Sequence, residues 1–552
     1  MIRAVPPKKP AAKIMKQSVS ATSSRASTPP ITPKKGNKKL ASMTKLAKST
    51  SQSGTATPPR GVVADQRQLD LSGMNLGSKE DVTNVVEEPP KVAIAKEKLI
   101  EEVKKTMEAE TQKKGLNLVV IGHVDAGKST LMGRLLYELG RMDEKTKVAN
   151  ERGSNKAGKA SFAWAWGLDG TAEERERGIT MDIAMQYLST PHRHITILDA
   201  PGHKEFIPNM ISGAAQADCA LLVVDASTGE FEAGFDRAGQ TREHLILVRS
   251  LGVTQVVVAI NKLDQVSWDQ VRYGDICDLL RAFLIQSGFQ PSRTKFVPVS
   301  AMQGVNLLSR QGDDAKPLRF WYDGPTLVDL LDKLEPPSRD IVAPLRIPIS
   351  NIFKGQSAGI AVIGRICGGI VQVGERLRAL PGDESGIVKM IEVEDKSVEW
   401  AASGTACTLH LISIDPVQLS IGTVLCAPSE LVSLAMTFTA RIIVFDIQIP
   451  ITPGATVELF HHSRDLPATV SKLISTLDKG SGKVVKSNPR VLSKGLSAEV
   501  QISLRTSSLS GSVSTVKSIP IEPFSVNKEM GRILLRRGGE TIAAGVVLAL
   551  VG

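Results

Sequence analysis

Eight consecutive residues, Gly122, His123, Val124, Asp125, Ala126, Gly127, Lys128 and Ser129, follow directly on an apolar run at 116–121 and spell G-x-x-x-x-G-K-S. Such a loop constrains the fold, because it works only where a strand delivers it and a helix leaves it. Its glycines let backbone N–H groups curl around phosphate oxygens, its lysine reaches the outer phosphates, and its serine hydroxyl can ligate magnesium. Thr130 opens the stretch 130–139, which reads as the helix whose N-terminus faces the anion. The loop is therefore a nucleotide-phosphate cradle at the carboxyl end of a buried strand.

Further short apolar runs at 194–198, 220–224, 256–260 and 296–299 have the character of parallel strands buried on both faces, and helical stretches separate them. That alternation predicts a doubly wound, mostly parallel α/β domain over 115–337. After Pro336 and Pro337 the texture changes. Leu345, Ile347 and Ile349 alternate with Arg346, Pro348 and Ser350, and Gly364, Gly368, Gly369 and Gly374 punctuate short strands. An antiparallel β-barrel over 338–428 is expected, then a second over 429–552 with strands near 438–445, 500–504 and 545–551.

The formal charge of +11 on 552 residues is unevenly placed. The first sixty residues hold thirteen Lys and Arg and no Asp or Glu, which leaves −2 for the remainder. Residues 1–90 thus read as a disordered, basic, Ser/Thr/Pro-rich tail able to touch RNA, while the folded body is nearly neutral. Within the tail, Thr28, Thr32 and Thr57 each precede a proline, a pattern that fits either phosphorylation sites or simple composition. Residues 91–114 read as a charged linker helix whose incomplete stripe, Ile94, Leu99, Ile100, Val103 and Met107, leads into the first domain or docks on it. The five cysteines are scattered and odd in number, which points to a reducing compartment and to no structural zinc. No apolar run approaches the ~20 residues that span a bilayer. These features together predict a soluble, cytoplasmic protein.

Three more segments turn the cradle into a guanine switch. Asp199, followed by Ala200, Pro201 and Gly202, ends the run at 194–198, where its carboxylate can hold a magnesium shell through water and the Gly202 N–H can meet the γ-phosphate. Asn261, Lys262 and Asp264 follow the run at 256–260. The Asp264 carboxylate can accept hydrogen bonds from guanine N1–H and its exocyclic amine, which adenine cannot donate, so GTP is selected over ATP. Ser300, Ala301 and Met302 complete the base pocket. Between cradle and Asp199, the stretch Glu173, Glu174, Arg175, Glu176 and Arg177 taken alone is a solvated charged helix ending at Gly178. Thr180 just beyond it is placed to offer magnesium a hydroxyl, beside Ser129 and Asp199, when the γ-phosphate is present. His203 follows Asp-x-Pro-Gly directly, so its imidazole can orient an attacking water.

With GHVDAGKST, ERERGITMD, DAPGHKEFIPNM, NKLD and SAM in this order, the chain resembles translational GTPases of the elongation-factor-1-alpha and release-factor-3 class, from about Leu116 onward. The resemblance implies that His203 is catalytic, that Val124 and Ile179 form an apolar gate beside it, and that Asp125 helps hold a monovalent cation next to GTP or GDP and Mg²⁺. The segments SFAWAW, LMGRLLY and GGETIAAG are most similar to the HBS-type ribosome-rescue GTPases that partner Pelota. That likeness implies a monomer that joins a Pelota-like, release-factor-shaped protein and enters the empty A site of a stalled ribosome, where hydrolysis is ribosome-stimulated and serves mRNA quality control. Alternatives are an aminoacyl-tRNA-delivering elongation factor, a termination-factor GTPase, the GTPase subunit of ATP sulfurylase, and a non-hydrolysing GTP-bound adaptor for RNA decay. The basic C-terminal tail of the tRNA-delivering factor has no counterpart before Gly552, and the small folded module that often precedes the linker in the rescue family is not apparent in the low-complexity tail.

Overall fold

The computed structural model describes residues 95–108, 113–156, 163–164, 166, 174, 180–236, 239–354, 359–478, 480–505 and 518–551. The basic tail expected over 1–90, with Thr28, Thr32 and Thr57, and Ile179, expected in the apolar gate, lie outside the described residues.

Six strands form the first sheet: β1 (Lys114–Ile121), β2 (Ala184–Ser189), β3 (Arg193–Asp199), β4 (Cys219–Asp225), β5 (Gln255–Asn261) and β6 (Thr294–Pro298). Their spatial order is β2-β3-β1-β4-β5-β6, parallel throughout except for the β2–β3 hairpin. Five of the six coincide with the apolar runs. β2 is the one that sequence patterning does not reveal: an edge strand with only Leu188 fully buried, it lacks the apolar run that betrays the central strands.

Alternate residues of β1 feed the two faces of this sheet. Leu118 and Val120 pack with Leu131 and Leu135 of α2 (Lys128–Glu138), which is followed by the mostly polar α3 (Glu144–Lys156). Val119 and Ile121 pack on the opposite face with Met210 of α4 (Ile207–Ala215), Leu245 of α5 (Gln240–Leu251) and Leu280 of α6 (Gln270–Gln286). Register aligns the carboxyl ends of the central strands, pairing Val120 with Asp199 and Asp225 with Asn261. The chain order reverses at β1, and a ligand crevice opens at such a point.

Two antiparallel sheets follow, and each closes into a six-stranded barrel. Arg376–Leu380 closes the first against Glu384–Val393, and Ala455–His461 closes the second against Arg464–Leu477. Full closure removes the unpaired edges that an open sheet would expose. Phe460, Leu534 and Ala544 of the second barrel enter the same core as α4 and α5, so that barrel is welded to the first domain by apolar packing. The first barrel is joined by polar contacts instead. Arg339 and Arg365 both grip Asp218 at the foot of β4, Arg365 also donates to Gln216 O at 2.7 Å, and Asn117 donates to Gly404 O at 2.9 Å.

Helix α1 (Lys96–Glu108) precedes β1 in the chain, but its apolar contacts lie on the first barrel and not on the first domain. Leu99 and Val103 bury themselves against Ile341, Ile370 and Ala402, and Lys96 pairs with Glu430 at 2.8 Å. Ile100 and Trp400 pack on the same small apolar cluster. Among the described residues, no helix is long and apolar enough to cross a membrane.

Candidate functional site

The cradle leaves β1 through residues that only a permissive backbone allows. Gly127 takes φ +88°, and a Cβ there would lie 2.5 Å from Asn261 Nδ2. Asp125, exposed at the tip, adopts φ +58°. Val124 N donates to Gln240 Oε1 at 3.3 Å, which fastens the loop to α5, and His123 packs against Gly234. Ser129 and Thr130 lie in the first turn of α2, whose N–H groups have no carbonyl within the helix to receive them.

Lys128 is buried, and its ammonium donates to the carbonyl oxygens of Gly122 and His123 at 3.2 and 2.9 Å. Burial pulls its pKa down, while the carboxylates of Asp199 and Asp125 oppose that effect. Gly202 closes over it, and any side chain there would collide with Lys128 Nζ. Asp199 is 1% exposed, and both of its carboxylate oxygens lack a hydrogen-bond partner among the described residues. Burial lifts its pKa to about 6 against the attraction of Lys128. A buried, unpartnered carboxylate is costly unless something polar or cationic meets it. The hydroxyls of Ser129 and Thr180 stand 3.2 Å apart, so the three groups expected around magnesium fit that ion in donor chemistry.

The three residues expected at the base pocket, Asn261, Lys262 and Asp264, have different surroundings. Asn261 is buried and braces two loops: Nδ2 donates to Ala126 O at 2.9 Å and Oδ1 accepts from Ala301 N at 2.9 Å. Lys262, in a left-handed conformation at φ +60°, turns its ammonium to Asp225 at 2.7 Å. Both therefore build the pocket wall, and Asp264 is left half-buried with no side-chain hydrogen bond among the described residues. Ser300 is fully buried, while Met302 is exposed and its carbonyl accepts from Arg134 at 3.1 Å.

His203 caps the turn Lys204–Phe206, where its Nδ1 accepts from Glu205 N at 3.4 Å; the side chain stays 39% exposed. Its ring lies 6.0 Å from that of Phe206. No hydrogen bond or ion pair joins it to Val124 or Thr180 among the described residues. Glu174 departs from the solvated reading at its own position: it is 3% exposed and accepts from Met181 N and Asp182 N at 2.9 and 3.1 Å, while Glu173 and 175–178 lie outside the described residues. Asp218, Arg339 and Arg365 carry no local motif, so sequence reasoning passed over them.

Residues 113–337 match the elongation factor Tu GTP binding domain, and residues 437–548 match the GTP-eEF1A C-terminal domain-like family. Protein HBS1 of Drosophila melanogaster is 42% identical over 456 residues, 82% of this chain and 66% of the fly protein's length. Elongation factor 1-alpha of Pyrobaculum aerophilum is 40% identical over 437 residues, which cover 79% of this chain and 95% of the archaeal one. The fold also superposes on the GTP-bound GTPase-like domain of S. cerevisiae Ski7 with a TM-score of 0.66 at 17% identity, covering 82% and 99% of the two chains. A mostly parallel sheet carrying the G-x-x-x-x-G-K-S loop, followed by two closed barrels, is thus accompanied by close sequence likeness along most of the chain. The chain belongs to the translational GTPase family of elongation factor 1-alpha and HBS1.

Proposed function

We propose that this GTPase acts in ribosome rescue, carrying a Pelota-like, release-factor-shaped protein to the empty A site of a stalled ribosome and hydrolysing GTP there. The observation that carries the reading is the likeness to HBS1 over 82% of the chain, combined with a complete set of switch residues. On this reading Lys128 holds the β and γ oxygens, and the cradle N–H groups take the remaining phosphate charge. Ser129 and Thr180 would ligate Mg²⁺ directly and Asp199 through water. The ion, when bound, would neutralise phosphate charge and orient the γ-phosphoryl group. Asp264 reads guanine, while Asn261 holds the two loops that frame the base. Gly202 N–H meets the γ-phosphate.

His203 orients the attacking water, with Val124 and Ile179 as an apolar gate that keeps the imidazole back until the ribosome is engaged. Its exposed position on a three-residue turn supports this role, because a small rearrangement suffices to move it. Asp125, at the loop tip, would contribute to a monovalent-cation site on the phosphate side. Contacts of the basic N-terminal tail with rRNA, a monomeric state before complex formation and a cytoplasmic location complete the proposal.

Capture from lysate with protein loaded with a non-hydrolysable GTP analogue tests it. Recovery of a Pelota-type protein supports the reading; recovery of aminoacyl-tRNA or a termination factor in its place overturns the cargo. Phosphate release with ribosomes and partner that does not exceed that of a His203→Ala variant would replace the enzyme by a GTP-bound adaptor.

A further inference from the structure

Thr180 stands beside a peptide that is gripped from two directions. From one side, Glu174 Oε1 accepts both Met181 N at 2.9 Å and Asp182 N at 3.1 Å. From the other, Asn209 in α4 donates Nδ2 to Met181 O at 2.8 Å and to Asp182 Oδ1 at 3.3 Å. Met181 is thus held through its N–H by one residue and through its carbonyl by the other. The neighbouring Thr180 hydroxyl is 3.2 Å from Ser129 Oγ.

The two grips come from different parts of the switch machinery. Glu174 precedes Thr180 by six positions in the chain and reaches the backbone just beyond it. Asn209 lies in α4, which starts four residues after His203. A buried carboxylate receiving two backbone N–H groups makes charge-assisted bonds stronger than neutral ones, and its loss strands two donors.

We propose that Glu174 and Asn209 are positioning residues that together bracket Met181, hold Thr180 where it senses the γ-phosphate, and make that placement depend on α4. Through this bracket, displacement of α4 disengages Thr180, and the segments carrying Thr180 and His203 switch together. The proposal rests on the reading of Thr180 as a γ-phosphate and Mg²⁺ contact.

Its test measures binding of fluorescent GDP and of a fluorescent non-hydrolysable GTP analogue to the full chain in Mg²⁺, for Glu174→Ala, Glu174→Gln, Asn209→Asp and Thr180→Ala. Glu174→Ala should weaken the GTP analogue about tenfold and leave GDP within about twofold. Glu174→Gln keeps an oxygen that accepts both N–H groups and should restore the analogue to within about threefold. Asn209→Asp preserves shape but removes the donor, and should behave like Glu174→Ala. Equal weakening of both nucleotides, or an unchanged ratio in Glu174→Ala and Asn209→Asp while Thr180→Ala shifts it, would overturn the bracket. An unchanged ratio in Thr180→Ala itself would instead overturn the reading of Thr180, and the proposal with it.

Discussion

Arg365 in the first barrel donates to Asp218 in the GTPase domain at 2.6 Å, with both side chains buried. Arg339 completes a two-guanidinium clamp on the same carboxylate, and Arg365 reaches Glu529 of the second barrel at 3.3 Å. One cation therefore touches all three folded bodies, at the end of the helix that follows His203. Burial alone would raise the Asp218 pKa, but the charges of Arg365 and Arg339 bring it below the ordinary carboxylate range.

Removing one member of this buried set leaves its partners uncompensated. Asp218→Asn should cost roughly 3–5 kcal/mol of stability, read as a lowered denaturant midpoint, while GDP still binds. A loss below about 1 kcal/mol would show that the clamp is dispensable.

Asn261 and Asp264 should separate by what each variant loses. Asn261→Ala frees both Ala126 O and Ala301 N, so GTP and GDP affinities should fall together by about tenfold or more. Asp264→Asn should instead erode preference for guanine over adenine nucleotides, measured by competition. If Asp264→Asn keeps full guanine selectivity, the base-reading assignment is wrong.

A different contrast addresses the phosphate side. Lys128→Ala should abolish nucleotide binding, whereas His203→Ala should bind nearly normally and lose roughly two or more orders of magnitude in ribosome-stimulated turnover. Equal losses of GTP affinity in the two variants would remove His203 from its proposed role.

Acid should weaken the second barrel through His461. Its Nε2 bonds Met530 O at 2.8 Å, and burial depresses its pKa to about 4 from an ordinary value near 6.5. The unfolded imidazole therefore takes up a proton at a pH where the folded one refuses it. Its contribution is intact above about pH 6.5 and is lost as pH falls toward 4, by as much as roughly 3 kcal/mol. The stability gap between the unaltered chain and His461→Asn, from urea melts at pH 7 and pH 4.5, should narrow at the lower pH.

Helix α1 should come off its barrel when its apolar contacts are charged. A Leu99→Asp, Val103→Asp double variant should show fast hydrogen exchange throughout Lys96–Glu108, with intrinsic GTP turnover unchanged. Retained protection of those amides would indicate that the Lys96 to Glu430 ion pair suffices to hold the helix.

The amino-acid order alone determined the central strands, the cradle and the barrel succession, because these depend on local periodicity and on residue types with fixed steric demands. The steric demands at Gly127 and Gly202 are legible for that reason, and so is the placing of Lys128, Asp199 and Asp264 just after strands. Only the tertiary structure decided the burial of Glu174, the bracing role of Asn261, the turn of Lys262 toward Asp225 and the docking of α1 on a barrel patch. Each of these depends on which distant backbone group lies within hydrogen-bond or van der Waals reach, a distance that spacing along the chain does not encode. Arg365 is the extreme case: its partners lie 147 and 164 positions away, so nothing nearby in sequence marks it as the point where three bodies meet.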